Sequence, residues 1–204
     1  MIALIDYGMG NLGSVVKALE HVGGTVKIVT EPAGFAGCSG CLLPGVGHFA
    51  DGMANLNERQ LADPIRAFVA GGRPFLGICL GMQMLLDGSE EAPGVSGLGV
   101  IPGMVRRFPA DGGEKIPHMG WNSVRKAGDH PAAVRIADGT YFYFVHSFYA
   151  DPADPADTAL VCDYILPFAA ALGRKNIFAT QFHPEKSQDA GLEILADFVR
   201  QSEK

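Results

Sequence analysis

Through its first 86 residues the chain alternates short, continuous apolar runs with longer stretches in which apolar side chains recur every three or four positions. The runs at 2–6, 25–30, 41–44 and 74–78 have the length and evenness of strands buried on both faces. Residues 11–22 and 61–70 carry helical spacing, the second stretch ended by Gly71 and Gly72, and a further helix is expected to begin at 80–86. Strands joined by helices of this length require parallel crossovers. The second half reads differently: 100–108, 121–125, 140–145 and 159–165 look like strands separated by Gly/Pro turns, hence antiparallel hairpins. Residues 176–182 form one more strand, and 189–201 a closing amphipathic helix with Leu192, Leu195, Ala196 and Val199 on one face. The expected fold is a single α/β domain over 1–204, with a mostly parallel central sheet, helices on both faces, and hairpins covering the sheet edge.

Composition narrows this picture. The 204 residues are 48% hydrophobic and 19% charged, which fits a well-filled core and excludes disorder. A formal net charge of −6 offers no footprint for a run of phosphates. The longest strongly apolar stretch, 74–86, is short and contains Gln83, so no membrane helix is expected. The opening M-I-A-L-I-D lacks a basic segment, and a cytoplasmic protein is expected. Cys38 and Cys41 form a C-x-x-C, but zinc would need a second such pair, and Cys79 and Cys162 stand alone. The pair reads as two small residues leading into a buried strand.

Gly8, Gly10 and Gly13 satisfy G-x-G-x-x-G after the first strand, and Glu31 follows the second strand where a ribose-binding acid would stand. Any parallel α/β protein needs such a turn, and the rest of the chain supplies no hydride-transfer site. The turn is expected at the carboxyl edge of the sheet, where open α/β sheets place their working loops.

The sharpest chemical signal is F-L-G-I-C-L-G-M-Q at 75–83. Gly77, Cys79 and Gly81 reproduce the nucleophile elbow G-x-S-x-G with cysteine in place of serine. A nucleophile on a strained strand-to-helix turn crowds the residues two before and two after it, so both must be small. The helix that follows is expected to aim N–H groups and its positive end at the sulfur. A catalytic cysteine also needs an imidazole to take and return a proton, and a carboxylate to orient that imidazole. His183 and Glu185, one proline apart in H-P-E at the end of the last strand, supply both. Acyl transfer creates an oxyanion that needs preorganised N–H donors. In L-L-P-G-V-G-H-F at 42–49, Gly45 and Gly47 let the chain turn a backbone N–H, that of Val46, into the site beside the N–H of Leu80.

Together these motifs resemble the class I, triad-type glutamine amidotransferases: P-G-V-G, G-I-C-L-G-M-Q, H-S-F-Y and Q-F-H-P-E-K-S stand in family order across the chain. Within that family, I-D-Y-G-M-G-N, H-M-G-W-N at 118–122 and Y-F-V-H-S-F-Y at 143–149 are similar to the glutaminase subunits of imidazole glycerol phosphate synthases. The resemblance implies a Cys79–His183–Glu185 triad, a γ-glutamyl thioester, no cofactor or metal, and ammonia passed to a separate (β/α)₈-barrel synthase subunit in histidine biosynthesis. It also implies that Gln83 and the backbone at Gly45, Gly47, Ser147 and Phe148 hold the amino-acid end of glutamine. Phe148 stands where tyrosine is usual in the family, a difference that a backbone contact survives.

Some of this holds without the family. Ammonia released into water is mostly protonated, so the acceptor site must be close. No phosphate loop, metal cluster or basic cleft remains in 204 residues to hold an acceptor, which therefore belongs to another chain. Trp121, between Gly and Asn in a loop-like setting, reads as an interface anchor together with Met119 and Asn11. The rivals are the glutaminase subunits of anthranilate, aminodeoxychorismate or pyridoxal phosphate synthesis, a cysteine peptidase or γ-glutamyl hydrolase, and a non-catalytic flavodoxin-like domain.

Overall fold

The computed structural model describes residues 1–110 and 113–203. In chain order the elements are β1 (Ile2–Ile5), α1 (Leu12–His21), β2 (Val26–Val29), β3 (Gly40–Leu43), α2 (Phe49–Glu58), α3 (Ala62–Ala70), β4 (Phe75–Ile78), α4 (Leu80–Gln83) and β5 (Gly88–Ser89). They continue with β6 (Gly103–Arg107), β7 (His118–Lys126), β8 (Thr140–His146), β9 (Phe148–Pro152), β10 (Thr158–Asp163), β11 (Pro167–Arg174), β12 (Ile177–Thr180) and α5 (Gln188–Ser202). The main path of the sheet runs β2-β1-β3-β4-β12-β11-β10-β7-β8. Its core, β2 to β12, is parallel; from β11 onward neighbours are antiparallel. The later hairpins therefore extend the sheet rather than cover its edge, while β5, β6 and β9 form a branch that joins at β11.

Strand alternation explains the two-sided core. Ile2 and Leu4 of β1 face one cluster with Val15 and Leu19 of α1 and Ile194, Leu195 and Val199 of α5. Ala3 and Ile5 face the other, with Met53 and Leu56 of α2 and Ile65 and Phe68 of α3. Helices thus cover both faces, as continuous apolar strands require. The buried stripe of α5 is Gly191, Ile194, Leu195, Phe198, Val199 and Ser202, rotated from the expected one, so Leu192 and Ala196 lie at its margin. Among the described residues no helix is long and apolar enough to cross a membrane.

Five elements depart from expectation: β5, β9, β11 and α2 have no counterpart in the sequence pattern, and α4 is shorter than the pattern suggests. Helix α2 escapes a pattern reading because Gly52 and two asparagines dilute its spacing, yet Phe49, Met53 and Leu56 are buried at i, i+4 and i+7. Gly52 is there because a Cβ would meet the Met84 sulfur at 2.8 Å. Strand β11, P-F-A-A-A-L-G-R, has a helix-prone composition, but it lies inside the sheet between β12 and β10. Helix α4 is only one turn long. Instead of continuing, the carbonyls of Met84, Leu85 and Leu86 accept hydrogen bonds from the returning N–H groups of Leu98, Val100, Ile101 and Gly99.

At the carboxyl end of β12, Phe182 is fully buried and stacks on Phe142 of β8 with ring centroids 4.0 Å apart. This pair anchors the turn that follows β12 against the far edge of the sheet. Phe142→Ala is expected to cost about 3–5 kcal/mol of unfolding free energy, the usual range for a buried aromatic truncated in a core, as read by urea denaturation.

Candidate active site

Cys79 sits between β4 and α4 with φ 52° and ψ −108°, a conformation rare for any residue but glycine. The glycines around it are sterically required. A Cβ on Gly77 would stand 3.0 Å from the Ala179 Cβ, and one on Gly81 would run into the carbonyl oxygen of Leu43. The Cys79 N–H is fixed by the Thr180 carbonyl at 2.7 Å. These constraints hold the thiol at the carboxyl edge of the sheet on a backbone that cannot relax without moving β3 or β12. The single turn of α4 brings little macrodipole, so the expected helix-end contribution to the sulfur is small.

β12 runs parallel to β4 with Thr180 opposite Ile78, so the chain beyond it passes beside Cys79. There the 3-10 turn Pro184–Lys186 carries Glu185 back onto His183, whose Nδ1 is 2.8 Å from Glu185 Oε1. Both side chains are buried. Nε2 of His183 makes no hydrogen bond, nor does Oε2 of Glu185. Burial alone would lower the imidazole pKa; the nearby Cys79 sulfur and the Glu185 carboxylate outweigh it and raise it to about 10. The pair is therefore set to hold a proton on His183 beside the sulfur. Catalytic hydrogen bonds are often incomplete before substrate arrives.

The glycine-rich loop after β3 does not present the expected pair of donors in this conformation. The Leu80 N–H is taken by the Gly45 carbonyl at 3.3 Å. Gly45 C=O and Val46 N–H belong to one trans peptide and point in opposite directions, so the Val46 N–H faces away from Leu80. The loop is braced by the first turn of the chain. The fully buried Tyr7 donates to the Pro44 carbonyl at 2.9 Å, and Gly10, at φ 113°, lets the turn approach Gly45. Gly8, Gly10 and Gly13 thus stand at the carboxyl edge as expected, and Gly8 and Gly10 are at positive φ.

A pocket of about 290 Å³ opens over Cys79, lined by Val46, Gly47, Leu80, Gln83, Ser147 and Phe148 among others. It gathers Cys79 and most of the residues expected to bind substrate; Gly45 lies just behind it. Gln83 Nε2 donates both to the Phe148 carbonyl and to Gln181 Oε1, each at 3.0 Å. With both amide hydrogens committed, its Oε1 is left to accept from a ligand.

Three residues at this site were not read from sequence. Glu91 lines the pocket, and its Oε2 accepts from the Phe49 N–H at the start of α2. Gln181 is fully buried and reaches Cys79. His146 also lines the pocket and is 3.0 Å from His118, which sits between Phe144 and Tyr164. Gln181 opens Q-F-H-P-E-K-S and His146 opens H-S-F-Y, yet only their neighbours in those motifs carry expected roles; the parallel register with Cys79 is the signal that points to Gln181, and Glu91 lies outside every motif.

The three candidate interface residues are surface positions. Met119 and Trp121 are 63% and 47% exposed. They lie on strand β7 rather than in a loop, because the strand begins at His118, and alternation turns both outward while His118 turns in. Asn11 caps α1, accepting from the Ser14 N–H at 3.3 Å. Cys38 and Cys41 are buried at the opposite end of the strands from Cys79, and burial holds the Cys41 thiol well above its ordinary pKa.

A strained cysteine elbow, a histidine–carboxylate pair and a glutamine-bearing pocket on one edge of an α/β sheet are the parts that thiol-dependent acyl transfer of the triad type requires. The chain belongs to the class-I glutamine amidotransferase family, which it matches over residues 3–202. It is 51% identical over 208 residues to the imidazole glycerol phosphate synthase subunit HisH of Methylococcus capsulatus, covering 98% of this chain and 95% of that one. It is 48% identical over 199 residues to the corresponding HisH of Rhodopirellula baltica, covering 98% and 97%. Among solved structures, PurLQS from Thermotoga maritima superposes with a TM-score of 0.78 at 18% identity, covering 100% of this chain and 98% of that chain. A crystal structure of a glutamine amidotransferase gives 0.74 at 17% identity, with both chains fully covered. These structural matches concern the fold alone.

The histidines give the site a pH signature. Burial pushes His146 down to about 3 and His118 to about 4, from 6.5. Above 6.5 each is neutral folded or unfolded. Below it the unfolded chain binds protons that the folded chain refuses, so stability falls between pH 6.5 and about 4. His183, raised instead, contributes fully below 6.5 and loses its contribution as pH rises through about 10, so it does not offset the acid loss. Urea denaturation across pH 7 to 4 is expected to show this decline. His146→Gln should flatten it by up to about 1.4 kcal/mol per pH unit, one proton's worth.

Proposed function

We propose that this chain, as one amidotransferase domain, is the glutaminase subunit of an imidazole glycerol phosphate synthase. It hydrolyses glutamine to glutamate and ammonia and passes the ammonia to a synthase subunit in histidine biosynthesis. The observation that carries the proposal is the strained Cys79 at the floor of a pocket that presents Gln83, with His183, oriented by Glu185, on the neighbouring strand end. The near-full-length identity to HisH proteins supports this pathway over those of the rival glutaminase subunits.

In this reading the Cys79 sulfur attacks the side-chain carbonyl carbon of glutamine. His183, oriented by Glu185, gives its proton to the leaving nitrogen, and ammonia departs from a γ-glutamyl thioester. Water then attacks the thioester, His183 takes its proton, and glutamate leaves. Gln83 Oε1 accepts from the substrate ammonium, and the backbone around Gly45, Gly47, Ser147 and Phe148 holds the carboxylate end. Cys79→Ala is expected to abolish glutamine-dependent synthesis while the assembled complex still works with added ammonia. Retained glutamine hydrolysis in that variant would sink the assignment. Cys38→Ser, Cys41→Ser and Cys162→Ser should keep the activity.

The partner is a (β/α)₈-barrel synthase chain docking on Asn11, Met119 and Trp121. Its presence switches the glutaminase on. The Leu80 N–H, occupied by Gly45, becomes an oxyanion donor only if the Gly45–Val46 peptide turns over, which also brings the Val46 N–H inward. Glycines on both sides of Val46 make that rotation inexpensive. Losing an oxyanion donor costs about 2.7–4 kcal/mol, or roughly 10²–10³-fold in rate. Glutamate release should therefore rise about 10²-fold or more when the synthase subunit and its nucleotide substrate are both added. An isolated chain already running at the rate of the liganded complex would end the gating idea and leave the triad untouched.

A further inference from the structure

Because Ile78 and Thr180 are opposite one another in parallel strands, the next residues of each, Cys79 and Gln181, leave the sheet side by side. Gln181 is fully buried, and its Nε2 lies 3.6 Å from the Cys79 sulfur, within hydrogen-bond range for a sulfur acceptor. The sulfur therefore has a side-chain donor on the β12 side that is independent of His183.

The direction of the Gln181 amide follows from donor and acceptor chemistry. The Phe148 carbonyl can only accept, so the Gln83 atom beside it must be the amide nitrogen. The second hydrogen on that nitrogen points at Gln181, whose facing atom must then be Oε1. The other end of the Gln181 amide, turned to the sulfur, is an N–H donor. An all-apolar side chain of similar size would fill this buried position at no desolvation cost. A carboxamide here has two partners, Gln83 at its oxygen and the Cys79 sulfur at its nitrogen, and only a group with both ends can serve them.

We propose that Gln181 is a catalytic residue of the thiol chemistry: its Nε2–H stabilises negative charge on Cys79 Sγ, and Gln83 holds it in that orientation. The proposal rests on the reading of Cys79 as nucleophile. As the Sγ–C bond forms and the C–N bond breaks, charge leaves the sulfur and the hydrogen bond slackens. When water has added to the thioester and the Sγ–C bond breaks, the electron pair returns to sulfur and meets the same donor. Gln181 thus assists expulsion of the thiolate. Charge-assisted hydrogen bonds are about twice as strong as neutral ones, so the thiolate, rather than the thiol, gains from this contact.

The test uses the full-length chain, alone and assembled with its synthase subunit. Iodoacetamide modification of the Cys79 peptide, followed by mass spectrometry against pH, reads the thiolate directly. Gln181→Met, which removes the donor, should move the midpoint of that profile upward by about one pH unit. Gln181→Glu keeps the acceptor for Gln83 and removes the donor to sulfur. In the complex it should lower kcat about tenfold with KM little changed, whereas Gln181→Met should also raise KM by releasing Gln83. An unmoved profile in a folded Met variant, or a Glu variant with wild-type kcat, overturns the proposal. If the Met variant does not fold, the Glu variant decides alone. A wild-type Cys79 that resists alkylation at every pH, or that glutamine does not protect, overturns the nucleophile reading and the proposal with it.

Discussion

The arrangement depends on one strained backbone position. Holding Cys79 at φ 52° is unfavourable by about 1–3 kcal/mol for a side chain of this kind, and such geometry survives only where its surroundings leave no alternative. Here the surroundings are β3 and β12, pressed so close to the elbow that a methyl group on Gly81 would run into the Leu43 carbonyl and one on Gly77 would crowd Ala179. The strain and the parallel pairing are therefore one feature. Relaxing the elbow would mean parting the centre of the sheet, so packing energy from both cores holds the thiol in place. The neighbouring strands deliver the next parts to that fixed point: the glycine loop from β3, and the histidine and its carboxylate from β12.

The pocket wall is built on a second constraint, that a backbone carbonyl can only accept. The Phe148 carbonyl takes hydrogen bonds from Gln83 Nε2 and from His146 Nδ1, at 3.0 and 2.9 Å. His146 must then accept at Nε2 from His118 Nδ1, and His118 in turn accepts from Asn122, whose amide also donates to the Asp163 carbonyl. One chain of bonds with a single consistent direction runs from strand β7 to the substrate pocket. Protonating either histidine would break it, and their burial keeps both neutral at ordinary pH. The H-M-G-W-N segment thereby works on two sides at once: His118 and Asn122 belong to this chain, and Met119 and Trp121 face outward.

Much of this was legible in the sequence because chemistry and sterics there leave local marks. The G-x-C-x-G spacing is forced by crowding around the elbow, and H-P-E places base and orienter in one turn. Continuous apolar runs identified the parallel strands because burial on both faces removes polar alternation. What stayed hidden depends on distant partners. Alanine-rich β11 has no local reason to be a strand; the strands on either side decide it. The stop after Gln83 comes from residues 98–101 capturing carbonyls that a longer helix would have used. Gln181 opens Q-F-H-P-E-K-S, but nothing local gives it a role until the register with β4 sets it against Cys79.

The same dependence on distant partners explains why the site can be complete in its residues and yet incomplete in its geometry. The elbow, the histidine pair and the Gln83–Gln181 link are fixed by packing, and none can move cheaply. The Gly45–Val46 peptide differs. It is held by one 3.3 Å hydrogen bond to Leu80, Val46 is 41% exposed, and Gly47 at φ 114° leaves the chain beyond it free of Cβ restraint. Turning this peptide changes two dihedrals and disturbs no core contact of the sheet. It also lies where a docked chain could act. Val46 lines the pocket together with Val145, the cross-strand partner of exposed Met119, and Gly45 touches the turn that ends in Asn11. A rigid nucleophile beside a soft oxyanion loop confines any switching to the one element whose movement costs little folding energy.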